Sequence, residues 1–146
     1  PYVVETSIGV DRMVLAVLSH SYKEETLENG ESRVVLSIPA PLAPVKAAVL
    51  PLVKKDGLPE LAQKVMEELK FDFNCQYEEK DSIGKRYRRQ DAIGTPFCIT
   101  VDHESLNDNC VTVRDRDTME QTRVPSSELR ALVDSKVDMS NRLRQL

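Results

Sequence analysis

Apolar residues at Val10, Met13, Val14, Val17 and Leu18 follow the spacing of one helix face, which predicts an amphipathic helix ending near Tyr22. Before it, the β-branched stretch Tyr2 to Glu5 predicts a short strand, with Gly9 opening the helical segment. The run KEETLENGES sets four Glu against one Lys around Asn29 and Gly30 and holds almost nothing to bury. It predicts an exposed connector and a boundary, dividing the chain into 1–32 and 33–146. From Arg33 the chain turns apolar again, but Pro39, Pro41 and Pro44 remove backbone donors and forbid a helix, so an extended lead-in is expected. Lys46 to Val53 is nearly continuous in apolar character, as suits a strand covered on both faces by helices.

Turn and helix-start signals at 56–59 precede Leu61, Val65 and Leu69, which recur every four residues beside Ala62 and Met66 and predict a helix with one buried stripe. Cys75 to Tyr77 reads as a short strand, and a helix follows with Ser82 as its N-cap and Gly94 as its stop. Phe97 to Val101, Val111 to Val113 and Gln121 to Val124 read as strands, and Ser126 or Ser127 caps a last helix through Leu129, Leu132 and Val133. The order βαβαβββα predicts an α/β fold: a mixed sheet of about five strands with helices on both faces.

A formal charge of −4 and a pI near 5.3 supply no global positive field, so contact with a nucleic acid has to come from a local patch. Cys75, Cys98 and Cys110 are odd in number, lack CxxC spacing and lie in or beside apolar segments, which predicts buried free thiols in a reducing, cytoplasmic compartment. No run approaches the roughly 18 apolar residues of a membrane span, and no signal-peptide pattern opens the chain, so a soluble protein with no membrane partner is expected. The first residue is Pro1, and the residues after it read as the middle of a packed element, which implies a piece of something longer.

Candidate chemistry concentrates in SIGKRYRRQDAIG, residues 82–94, where Lys85, Arg86, Arg88 and Arg89 put four cations into five positions of an acidic protein. Like charges on one helical turn repel, which points to phosphates or an acidic partner as compensation. The pattern equally suits a solvated helix face with Ile83, Tyr87 and Ile93 packed inward. In VRDRDTMEQTR, Arg114 and Arg116 alternate with Asp115 and Asp117 just after a predicted strand, fitting either base and phosphate contacts or a salt-bridge ladder within the chain. His20 and His103 lack ligand-spaced neighbours, so no metal is predicted; nor is there a glycine-rich phosphate loop or a GxSxG.

The opening PYVVETSIGVDRMVLAVL resembles motif 3 of class II aminoacyl-tRNA synthetases, a strand running into a helix with an arginine near the helix start. The resemblance implies that Arg12 binds ATP phosphates and that Glu5 and Ser7, in VETS, hold the ammonium group of glycine as they do in glycyl-tRNA synthetases. The segments LAPVKAAVLPLVKKDGLPELA, SIGKRYRRQDAIGTPFCITVD and NCVTVRDRDTMEQTRVP are similar to the anticodon-binding domain shared by the glycyl, histidyl, prolyl and threonyl enzymes, in the words of the homodimeric glycyl branch. Residues 1–32 would then be the end of the catalytic domain plus a linker, and 33–146 the anticodon-binding domain.

By this resemblance Lys85, Arg86, Arg89, Thr100, Asp102, His103, Arg114 and Arg116 line the surface that meets the anticodon loop of glycine tRNA. His103 departs from relatives that often carry Phe there, and a histidine can still stack on a base. The whole enzyme is expected to be a homodimer that activates glycine with ATP and Mg and transfers it to tRNA. Motifs 1 and 2 are absent from these residues, so no complete catalytic site, no bound cofactor and no glycyl-adenylate formation are expected of them alone. The alternative is a non-catalytic, synthetase-like accessory protein that binds nucleic acid.

Overall fold

In the computed structural model, which describes residues 2–27 and 30–144, the first predicted helix is present as α1, Val10–Ser21. Its apolar residues Val10, Met13, Val14 and Leu18 are exposed, and with Val17, Ile38 and Leu42 they line a groove of about 440 Å³. The strand expected at Tyr2 to Glu5 is not formed; those residues are exposed and irregular. Branching at Cβ favours extended backbone, but a strand exists only where a neighbour completes its hydrogen-bond ladder, and no described segment does so.

The acidic connector is corrected as well. β1, Tyr22–Thr26, pairs antiparallel with β2, Ser32–Leu36, in a register that sets Tyr22 opposite Leu36 and Thr26 opposite Ser32. A polar ribbon of this kind needs one anchored face, and the buried side chains of Arg33 and Val35 provide it. Glu28 and Asn29, at the centre of the expected connector, lie outside the described residues.

After a 3-10 turn at Ala40–Leu42, the chain runs through β3 (Ala47–Pro51), α2 (Leu58–Leu69), β4 (Cys75–Tyr77), α3 (Ile83–Ile93) and β5 (Phe97–Val101). A short α4 (Ser105–Asp108), β6 (Cys110–Asp115), β7 (Gln121–Pro125), α5 (Leu129–Val137) and α6 (Met139–Leu143) complete it. The five-stranded sheet has the order β4-β3-β5-β6-β7, with β3 parallel to both β4 and β5, and β5, β6 and β7 in an antiparallel meander. On one face, Ala47, Val49 and Ile99 pack against Leu58, Ala62 and Val65 of α2 and Leu129 and Val133 of α5. On the other, Ala48, Leu50 and Cys98 meet Ile83 and Tyr87 of α3. Burial on both faces explains why β3 reads as an unbroken apolar run. Each large aliphatic side chain so buried contributes roughly 1.5–3 kcal/mol.

Gly94 ends α3 in the left-handed region at φ +85, and a Cβ there would sit 2.9 Å from Ile38 Cγ2 and 3.0 Å from the Leu36 carbonyl oxygen. Only glycine fits both conditions. Ser82 occupies the N-cap position, but its side chain makes no capping bond; nor do Ser126 and Ser127, which form a 3-10 turn ahead of α5. All three cysteines are free, but only Cys98 is fully buried, while Cys75 and Cys110 are half-buried. Burial pushes the Cys98 thiol up to about 12 and the Cys75 thiol up to about 11.

Candidate nucleic-acid interface

Because β3, β4 and β5 run parallel, their C-terminal ends emerge on one edge of the sheet, where doubly wound folds characteristically bind ligands. The loop after β3 carries Lys54 and Lys55, the loop after β4 carries Lys80, and the first turn of α3 adds Lys85; all four are exposed. None of them forms an ion pair with a described residue. His103, just past β5, is exposed on the same edge with its Nε2 3.2 Å from the Asp56 carboxylate. Sequence reading found Lys85 and His103 and missed Lys54, Lys55 and Lys80. The missing signal was positional: a polar KKDG directly after a fully buried strand must fall on this edge.

Of the other cations of the α3 cluster, Arg86 is buried, while Arg88 and Arg89 reach solvent but are paired with carboxylates. Arg86 is only 2% exposed; its Nη1 donates to the carbonyls of Pro51 at 2.6 Å and Glu78 at 3.2 Å, and its Nη2 to Leu52 O at 3.1 Å. Burial pulls this guanidinium below its ordinary value, opposed chiefly by the charge of Glu78. Arg88 pairs with Glu31, and Arg89 pairs with Glu78 and, at 2.9 Å, with Asp81. The repulsion expected along this helix is therefore relieved largely from within the chain. Ile93, expected to pack inward, is exposed, because the inward stripe runs through Ile83, Tyr87, Gln90 and Asp91.

Thr100 and Asp102 are also engaged internally. Thr100 is buried on the α3 face of β5, sharing a 2.7 Å hydrogen bond with the Tyr87 hydroxyl. Asp102 Oδ1 accepts from Ser105 N and Oγ, both at 3.0 Å, and Oδ2 accepts from Arg123 Nη1 at 2.9 Å. Partial burial pushes Asp102 upward, but the bonds from Arg123 and Ser105 outweigh it and hold the carboxyl below its usual range. Arg123 on β7, not singled out from sequence, is gripped by Asp102 and Asp108, whose bonds raise its already high value.

Arg114 and Arg116 sit at the opposite end of the sheet, because β6 runs antiparallel to β5 and pairs Arg114 with Cys98 and Asp115 with Phe97. That reversal sets them toward the N-terminal end of β5, away from the strand ends that the lysines surround. Arg114, 6% exposed, donates Nη1 and Nη2 to the two oxygens of Asp91 at 2.9 and 3.1 Å and lies 4.8 Å from the centre of the Tyr87 ring. Burial lowers the Arg114 value, and the Asp91 bonds more than restore it. Arg33 Nε reaches the same carboxylate at 2.9 Å, while its Nη1 meets Glu25 and its Nη2 donates to the Arg116 carbonyl. Arg116, 2% exposed, donates to Gly94 O at 2.8 Å and Ile38 O at 2.9 Å and pairs with Asp117. This end is a buried ionic bolt joining β1, β2, α3 and β6.

Glu5 and Ser7 lie in the exposed irregular segment before α1, and Arg12 is exposed in the first turn of that helix. They are remote in sequence from the lysine edge and form no ion pair with a described residue. Among the described residues no group of three or more His, Cys, Asp or Glu is placed to hold a metal, and no helix is long and apolar enough to cross a membrane.

Residues 46–136, which hold the whole five-stranded sheet, match the family described as Anticodon binding domain. The chain belongs to that family. Over 137 residues, 94% of this chain, it is 59% identical to a glycine–tRNA ligase of Macrococcus caseolyticus and covers 29% of that protein. It is 52% identical over 94% of its length to a glycine–tRNA ligase of Borrelia hermsii, covering 31% of it. The chain thus spans less than a third of either relative. Two solved structures share the anticodon-binding domain fold. The RNA-binding domain of a threonyl-tRNA synthetase from Cryptosporidium parvum superposes with a TM-score of 0.62 at 24% identity, over 68% of this chain and 25% of that one. A prolyl-tRNA synthetase from the same organism gives 0.64 at 18% identity, over 84% of this chain and 32% of that one.

Proposed function

We propose that this chain supplies the anticodon grip of a cytoplasmic, homodimeric glycine–tRNA ligase, and that the lysine edge receives the anticodon loop. The observation that carries the reading is the edge itself: Lys54, Lys55, Lys80 and Lys85, exposed on three consecutive chain segments around the C-terminal ends of parallel strands in an anticodon-binding fold. Cations there meet phosphates, and the exposed imidazole of His103 stacks on an unpaired base. Arg86, Thr100, Asp102, Arg114 and Arg116 act from beneath, by holding the edge and the sheet behind it. Residues 1–32 belong with the catalytic part, where Arg12 meets ATP phosphates, with Mg bound alongside the ATP, and Glu5 and Ser7 hold the glycine ammonium. The whole protein activates glycine with ATP and transfers it to glycine tRNA.

The reading is tested by titrating the 146-residue chain with a glycine tRNA anticodon stem-loop across a salt series. Four single-strand phosphate contacts predict a slope of log K against log salt of about −3. Lys54→Gln and Lys85→Gln should each flatten that slope by about 0.7, whereas Lys136→Gln, on α5, should leave it unchanged. Equal effects from all three variants, or a slope near zero in the parent chain, would refute the assignment of the edge.

A further inference from the structure

We propose that Arg86 is a positioning residue for RNA capture: a buried clamp that sets the spacing of the two lysine-bearing loops and does not touch RNA. The partner named in this proposal rests on the reading above; the clamp itself does not. Three acceptors define it. Pro51 O closes β3, Leu52 O opens the loop that leads to Lys54 and Lys55, and Glu78 O opens the loop that leads to Lys80. These carbonyls lie where the β3 and β4 ladders end, so they have no further strand to accept from. One planar guanidinium can satisfy acceptors on both strands at once, which a single ammonium at the end of a flexible stem does less well.

The surroundings show that Arg86 is neither a surface cation nor half of an ion pair. Its side chain is 2% exposed, its Nε has no hydrogen-bond partner, and no described carboxylate lies within ion-pair distance of it. Glu78, the acid whose charge acts most strongly on Arg86, gives its carboxylate to Arg89 instead. Carbonyl dipoles therefore hold the charge, and the same bonds fix Lys85, one residue away on α3, relative to both loops. Without the guanidinium the three carbonyls lose their donors, water enters, and the loops must be reordered each time RNA binds.

The test uses the 146-residue chain and its Arg86→Lys and Arg86→Met variants. The Leu52 amide donates to Val101 O and the Glu78 amide to Val49 O, so hydrogen exchange at these two sites reports directly on the clamp. In Arg86→Met they should exchange at least about tenfold faster while α5 keeps its protection, with Arg86→Lys between the two. Affinity for the stem-loop should fall about tenfold in Arg86→Met with the salt slope unchanged. Unchanged exchange at Leu52 and Glu78 in folded Arg86→Met would overturn the clamp, as would a slope flattened by about 0.7, the mark of a direct phosphate contact. If neither variant folds, the parent chain decides: separate, slowly exchanging Arg86 Nη signals that do not move on adding RNA support the clamp, and averaged or RNA-shifted signals overturn it. A parent chain that binds no RNA refutes the partner, while the exchange measurement still judges the clamp.

Discussion

Replacing Asp91 by alanine removes a carboxylate shared by two buried guanidinium groups, those of Arg33 and Arg114. Asp91 is 1% exposed and accepts from Arg33 Nε at 2.9 Å and from Arg114 Nη1 and Nη2 at 2.9 and 3.1 Å. Without it, Arg33 keeps Glu25 at the rim and the Arg116 carbonyl, whereas Arg114 keeps the face of the Tyr87 ring and a weak contact with the Cys98 thiol, and no carboxylate. Removing one member of a buried ion pair costs about 3–5 kcal/mol, because the charge left behind has neither water nor a partner. With a urea m-value of about 1.5–2 kcal/mol/M for a domain of this size, the midpoint should fall by roughly 2 M at constant m. Asp117→Ala provides the contrast. Asp117 is exposed and pairs with an Arg116 that keeps two backbone acceptors, so its loss should cost no more than about 1 kcal/mol. Combining Asp91→Leu with Arg114→Met should be less harmful than the sum of the single changes, since it removes charge and counter-charge together. An Asp91→Ala cost below about 1 kcal/mol would refute the view that this cluster is sealed from water.

Other consequences can be checked as simply. Gly94→Ala forces a Cβ into the left-handed region and against Ile38 and the Leu36 carbonyl, and should cost about 2 kcal/mol or more by thermal or urea unfolding. Iodoacetamide at pH 8 should spare Cys98, buried and pushed up to about 12, and label Cys75, pushed up to about 11, only slowly; mass mapping of native protein should find Cys110 labelled first. Asp102, held below the usual carboxylate range, contributes stability that is present above the unfolded carboxylate value and lost as the pH falls through its lower folded value. The unfolding midpoints of the parent and Asp102→Asn should therefore differ at pH 6 and converge as the pH drops from about 4 toward 2.

Much of the fold was legible because burial leaves a periodic trace. The apolar run of β3, the four-residue repeat of α2 and the glycine stop after α3 each state a local requirement that the structure then meets. The ribbon was not legible, since β1 is written in Lys, Glu and Thr and is held by a ladder and by buried Arg33, neither of which leaves an apolar pattern. Tyr2 to Glu5 failed in the opposite way: the right residues for a strand, without a neighbour to pair with. In the candidate site, composition alone placed all four cations of α3 on the outside. Helical phase carried the better signal, because Ile83, Tyr87 and Gln90 define an inward stripe on which Arg86 and Asp91 also fall, while Ile93 does not. The separation of Arg114 from Lys85 was beyond any local reading, because it depends on β6 reversing direction beside β5.

Four arginines of this molecule lie inside it while the four lysines of the edge lie outside, and that difference gives the two sets different vulnerabilities. Arg33, Arg86, Arg114 and Arg116 are buried, whereas Lys54, Lys55, Lys80 and Lys85 are exposed. Acetylation of lysine removes the charge without disturbing packing, so acetylating the edge would silence the proposed nucleic-acid surface on a molecule that still folds. A guanidine-directed reagent such as a dicarbonyl would label exposed Arg12, Arg88 and Arg130 on the folded chain, and would reach the four buried arginines only as the chain opens.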